Sequence, residues 1–178
     1  LDLAWELDVW GRLSDTRRAA RLDAQQAAIN LQGARLSLAA NTAKGWFNLA
    51  ETELQTQLAQ QTLKSYTNNL AVLEEGLKRG LTKVLDVRLM QTSVRNAENT
   101  LQLRLRQRDA AGRSLEVLLG RYPKSEVAVT ATLPSLTNTV PAGLPAQLIE
   151  RRPDVLAAQR GYLASHHRVD SAKKDRLP

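Results

Sequence analysis

An all-α fold is what this sequence predicts: one long antiparallel helical hairpin with a further helix after it. Three observations point there. No proline interrupts the stretch from Gly11 to Pro123, so a helical hydrogen-bond ladder can run through it. Apolar residues in that stretch recur at three- and four-residue intervals on either side of one break near Gly80. The composition is 43% apolar but only 4% aromatic, which suits helices packed through small residues and leucines.

At the start of the chain, Leu1, Leu3, Trp5, Leu7 and Val9 alternate with Asp2, Ala4, Glu6 and Asp8, the period of a half-buried strand. Such a segment with aromatics near its ends fits a membrane-barrel strand with Trp5 and Trp10 as interface anchors, and it fits an ordinary amphipathic edge strand as well. Gly11 ends the strand, and Ser14-Asp15 offers capping chemistry for the first helix. Leu22, Ile29 and Leu36 lie seven apart, as do Leu63, Leu70 and Leu77, with Tyr66 and Leu73 between. This helix would run roughly 95 Å at 1.5 Å per residue. Gly33 and Gly45 inside it are tolerable at modest cost. The many alanines between Ala19 and Ala50 fall on more than one face. Small residues on two faces admit close neighbours on both sides, so the helix is expected to be one stave in a wall of helices; a plain Ala-rich coiled coil is the alternative.

The run from Glu75 to Thr82 breaks the pattern. Gly80 can end a helix, Lys78-Arg79 suit a helix C-terminus, and Thr82 can cap the next helix. That second helix restarts with Val87, Met90, Val94, Ala97 and Leu101 and continues through Leu105, Ala111, Leu115 and Leu118 to Gly120. It is shorter than the first by a third or more. The first helix near Gly11 therefore needs another cover, from elsewhere in a longer protein or from another subunit. Pro123, Pro134 and Pro141 mark an ordered loop to Gly143, with strand pieces such as Val127 to Ala131. Pro145 opens a short helical turn, Pro153 interrupts it, and a last helix runs from Asp154 to near Leu177-Pro178.

Little in the sequence points to chemistry. The balance of 25 basic and 18 acidic residues, a net charge of +7, permits nucleic acid or acidic lipid as a partner without requiring either. Arg104, Arg106, Arg108 and Arg113 are the residues that a phosphate-binding stripe would use, in a basic coiled-coil adaptor or nucleic-acid-binding hairpin. Their scatter along the helix also fits a solvated basic face. There is no cysteine, and no stretch approaches eighteen consecutive apolar residues. The chain opens in mid-pattern without Met, as a piece of a longer protein would. His166 and His167 are adjacent, about 100° apart on a helix, which is poor geometry for a shared metal. Glu6 and Asp8 on one strand face are weak signs of acid-base work. Arg151-Arg152-Asp154 reads as a salt-bridged turn with Asp154 favouring a helix start. No catalytic, cofactor-binding or metal site is expected.

Four stretches carry a resemblance. They are Trp5-Glu6-Leu7-Asp8-Val9-Trp10-Gly11-Arg12; Arg79-Gly80-Leu81-Thr82 with Leu85-Asp86-Val87; Leu118-Leu119-Gly120-Arg121-Tyr122-Pro123; and Gly143-Leu144-Pro145-Ala146 with Glu150-Arg151-Arg152-Pro153-Asp154-Val155. In these, the sequence resembles the outer membrane factors, the TolC-like channels of Gram-negative efflux and secretion systems, and most closely their OprM/NodT-like lipoprotein branch. The resemblance implies a homotrimer in the cell outer membrane whose helices form a periplasmic tunnel. It exports drugs or other small molecules together with a periplasmic adaptor protein and an inner-membrane pump, without enzymatic activity and without nucleic acid. It implies the end of a barrel strand at 1–10, a long periplasmic hairpin at 11–119 with its tip near 76–83, an equatorial loop at 120–143, and at 144–178 a helix leading to the next barrel strand. The adaptor would meet the tip at Arg79, Gly80, Leu81, Thr82 and Asp86. His166-His167-Arg168 and Asp170 depart from the family's pattern, standing where small and apolar residues are common.

Overall fold

Among the described residues the fold is made of four helices. In the computed structural model, which describes residues 7–129 and 145–177, they are α1 (Arg12–Lys78), α2 (Val84–Leu118), α3 (Pro145–Arg151) and α4 (Pro153–Lys174). The expected long helix is a single element of 67 residues, and α2 has 35. Residues 1–6 of the expected strand lie outside the described residues, and the rest is not strand: 7–8 are irregular and 9–11 form a bend. Of the strand piece expected at Val127 to Ala131, 127–129 are irregular and the rest lies outside the described residues.

The chain divides into two units, Leu1–Leu38 with Asn138–Pro178, and Ala39–Thr137. In the second unit, α1 and α2 pair antiparallel. A Cβ on Gly45 would meet Leu118 and Leu115, Arg108 reaches Glu53 at 3.7 Å, and a Cβ on Gly76 would meet Thr82. The core is small: Leu49, Ala111 and Leu115 are buried, with Trp46, Val127 and Val129 packed against them. Val87, Val94, Ala97, Ala111 and Leu115 are buried as the seam of α2 predicts. Leu36, in the first helix's heptad, is exposed instead.

The first unit holds the cover that the start of α1 requires. It comes from α4 of this same chain. Thr16 and Ser171 hydroxyls lie 3.1 Å apart, Arg168 pairs with Asp23, and a Cβ on Gly161 would sit 3.0 Å from Gln26. The seam is polar at its end. Asp15 is buried and accepts from Lys174 Nζ and, at 3.1 Å, faces His167 Nδ1. The hydrogen bond from Lys174 holds the Asp15 carboxyl below the usual carboxylate range; burial opposes this and the His167 contact supports it. His167 and Arg168 thus pair across to α1. His166, on the outer side, stacks edge-on with Tyr162 at 5.7 Å.

Two helix starts differ from expectation. Ser14-Asp15 do not cap α1. Asp8 does, accepting from Leu13 N–H at 2.9 Å and from Ser14 N–H at 2.8 Å and Ser14 hydroxyl at 2.6 Å. Those bonds, the Ser14 hydroxyl first, depress the Asp8 carboxyl against the opposing effect of desolvation. Nor does Thr82 cap α2, whose N-cap is Lys83 without a side-chain bond. The start of α4 agrees with expectation: Pro153 opens it, and Arg152 grips Asp154 with two bonds of 3.1 and 2.6 Å.

Candidate hairpin-tip interface

The tip is built by local rules. At the end of α1, Gly80 takes φ +73°, Gly80 N–H donates to Leu77 carbonyl at 3.0 Å, and Leu81 N–H donates to Gly76 carbonyl at 2.8 Å. This pair of bonds satisfies carbonyls that the helix end would otherwise leave open. Glu75 gathers the basic residues of the last turn: Arg79 bonds it at 3.0 Å and Lys78 lies at 3.6 Å. Both pairs are exposed, so they shape the surface more than they stabilise it. Asp86 is exposed in the first turn of α2, where negative charge suits the helix dipole.

Arg79, Gly80, Leu81 and Thr82 therefore share the connecting turn, with Asp86 just inside α2, and their exposure differs. Leu81 is 80% exposed, whereas Thr82 is half-buried against Gly76. Leu77, the last of the heptad leucines of α1, is half-buried. Val84, Leu85 and Leu89 are exposed instead. Leu85 and Leu89 stand four apart and off the Val87–Met90–Val94 seam, which is the signal that marks them. The tip thus offers a concentrated apolar surface edged by Lys78, Arg79 and Lys83.

The other singled-out residues do not form a second site. Trp5 lies outside the described residues; Trp10 is about half exposed just before Gly11. Arg104 bonds Gln107 at 2.9 Å and Arg108 bonds Asp109 at 3.1 Å and faces Glu53, while Arg106 and Arg113 are exposed seven residues apart. The four arginines therefore divide between two faces of α2 and make no single phosphate-facing stripe. Among the described residues no group of His, Cys, Asp and Glu is arranged to hold a metal ion, and no helix is long and apolar enough to cross a membrane.

The family model described as "Outer membrane efflux protein" matches residues 1–121. This chain belongs to that family. The cation efflux system protein CusC of Escherichia coli O6:H1 is 28% identical across 100% of this chain, which corresponds to 39% of CusC. The probable efflux pump outer membrane protein SepC of Pseudomonas putida is 30% identical across 100% of this chain and 37% of its own length. A membrane protein from Pseudomonas aeruginosa superposes with a TM-score of 0.87 at 27% identity, over 96% of this chain and 40% of that one. The crystal structure of CusC gives 0.87 at 26% identity over the same shares. The chain thus spans about two fifths of the length of the relatives it matches. The family is one of transport channels, not of enzymes. Its place is the outer membrane, with this helical segment on the periplasmic side.

Proposed function

We propose that this chain is a periplasmic wall segment of a trimeric outer membrane efflux channel, and that its hairpin tip docks a periplasmic adaptor protein coupled to an inner-membrane pump. The channel is passive, and drugs or other small solutes pass through a tunnel lined by such helices. The observation that carries this reading is the surface that α1 leaves open. Ala20, Ala24, Ala27, Ala28, Ala34, Ala39, Ala40 and Ala43 are all exposed although α1 already has its partners within the chain. Small residues there admit further helices at close range, as a wall of staves requires. At the tip, Leu81 with Val84 and Leu85 supplies the apolar anchor, and Arg79, Gly80, Thr82 and Asp86 set its turn and its charged edge. Trp5 and Trp10 mark the membrane interface, where aromatic side chains partition.

The experiment is adaptor binding. Replacing Gly80 and Leu81 with bulky charged residues is expected to abolish capture of the periplasmic adaptor of the same system, measured by surface plasmon resonance. Unchanged affinity removes the tip assignment.

A further inference from the structure

Gly76 is the residue of the tip whose role neither the family match nor the interface reading explains. It sits inside the last turns of α1, where glycine is a poor helix former. Its backbone conformation does not require glycine, since only Gly11, Gly80 and Gly120 take positive φ among the described glycines. What requires it is space. A Cβ built on Gly76 would lie 2.4 Å from Thr82 Oγ1 and 3.4 Å from Thr82 Cβ. The same residue gives its carbonyl to Leu81 N–H at 2.8 Å. Gly76 therefore holds the turn twice, once through its carbonyl and once through the side chain it lacks.

This matters because α2 has no side-chain cap to fix its entry. Lys83 at the N-cap position makes no such bond. Thr82 is the residue just before it, and it rests on Gly76. We propose that Gly76 and Thr82 form a steric lock that sets the direction in which the tip presents Leu81, Val84 and Leu85, making Gly76 a positioning residue for adaptor docking. The inference rests on the docking reading above for its function and on the packing alone for its structure. Threonine is stiff about χ1, so an added methyl at position 76 forces its hydroxyl into another rotamer or pushes the turn open.

Propensity and packing predict opposite results for one substitution, which makes the test sharp. Alanine is the better helix former, so Gly76→Ala should hold or raise the thermal midpoint if only helix stability counts. The lock predicts that the same variant loses adaptor affinity about tenfold, and that Leu81 amide exchange quickens as its bond to residue 76 is disturbed. Gly76→Ala combined with Thr82→Ala is expected to regain slow Leu81 exchange, because the atom in conflict is gone. Gly76→Ala with wild-type affinity, or a double variant whose Leu81 amide exchanges as fast as that of the single one, overturns the lock. Leu81 exchange separates the two ideas: slow exchange in Gly76→Ala overturns the lock whatever the adaptor does. Rescued exchange with no adaptor binding by the unaltered chain overturns the docking reading and leaves the lock standing.

Discussion

Glu116 shows how much one side chain can arrange. It is buried near the end of α2 and accepts the backbone N–H of Ser125 and of Glu126, each at 2.7 Å. Those bonds turn the loop after Gly120 back onto the hairpin, where Val127 and Val129 join the core. Ser125 takes φ +62° to do so, and its hydroxyl lies where a Cβ on Gly112 would be only 2.8 Å away. The carboxyl feels two opposed influences. Burial, the larger single one, raises its pKa; the N–H groups of Ser125 and Glu126, with those of Lys124 and Val127 behind them, together outweigh it and leave it lowered. Its folded value lies below the unfolded one, so its contribution is full above the usual glutamate range of about 4.3 and is lost as pH falls through the folded value. Asp15, also lowered, has the same sign. The thermal midpoint is therefore expected to fall from pH 5 to pH 3, and Asp15→Asn is expected to flatten that fall. Glu116→Gln turns one acceptor into a donor facing an N–H, so faster amide exchange at Ser125 or Glu126 is expected at neutral pH. Exchange as slow as in the unaltered chain would show that the loop is held by Val127 and Val129 alone.

At the scale of elements, the hairpin depends on where its helices stop and on what lies between them. Both α1 and α2 end in the same backbone motif, with Gly80 and Gly120 at positive φ. A side chain at Gly80 would meet no atom within 4 Å, so the cost of Gly80→Ala is conformational, about 1–2 kcal/mol. Leu115 is different. It is 2% exposed and central to a core with few members, so Leu115→Ala is expected to cost about 2–4 kcal/mol in urea unfolding. The order of the two effects is the test: a larger loss at Gly80 than at Leu115 would contradict the place of the core. Gly33 and Gly45 also gain a reason at this scale. A Cβ on Gly33 would stand 3.4 Å from Pro153, and one on Gly45 would stand 3.3 Å from Leu118, so both glycines lie where another helix comes close.

For the whole molecule, the balance of covered and uncovered surface sets behaviour in solution. Leu31, Leu36, Leu58, Val72, Leu89 and Leu103 are exposed together with the alanines of α1. Apolar surface on this scale marks an interaction surface and favours association. The chain is expected to self-associate, with sedimentation velocity showing species larger than the monomer at micromolar concentration. A clean monomer that resists heating would count against the stave reading. The features legible in the sequence share a physical basis. The hairpin, its turn at Gly80, the break at Pro153 and the Arg152–Asp154 clamp all rest on neighbours in sequence. The Asp8 cap reaches forward five and six residues from a segment that alternation marks as a strand, so the nearer Ser14-Asp15 has the stronger local signal for a cap. The turn at the tip is legible from Gly80, whereas Gly76 carries no signal of its own, because its reason is a neighbour on the far side of the turn. Sequence alone determined the helices and their breaks, because periodicity, proline and glycine act within a few residues. Only the tertiary structure decided that α4 covers the start of α1 through Asp15, His167 and Lys174, and which leucines are buried. The first of these joins residues more than 150 positions apart, and no local pattern encodes which distant faces meet.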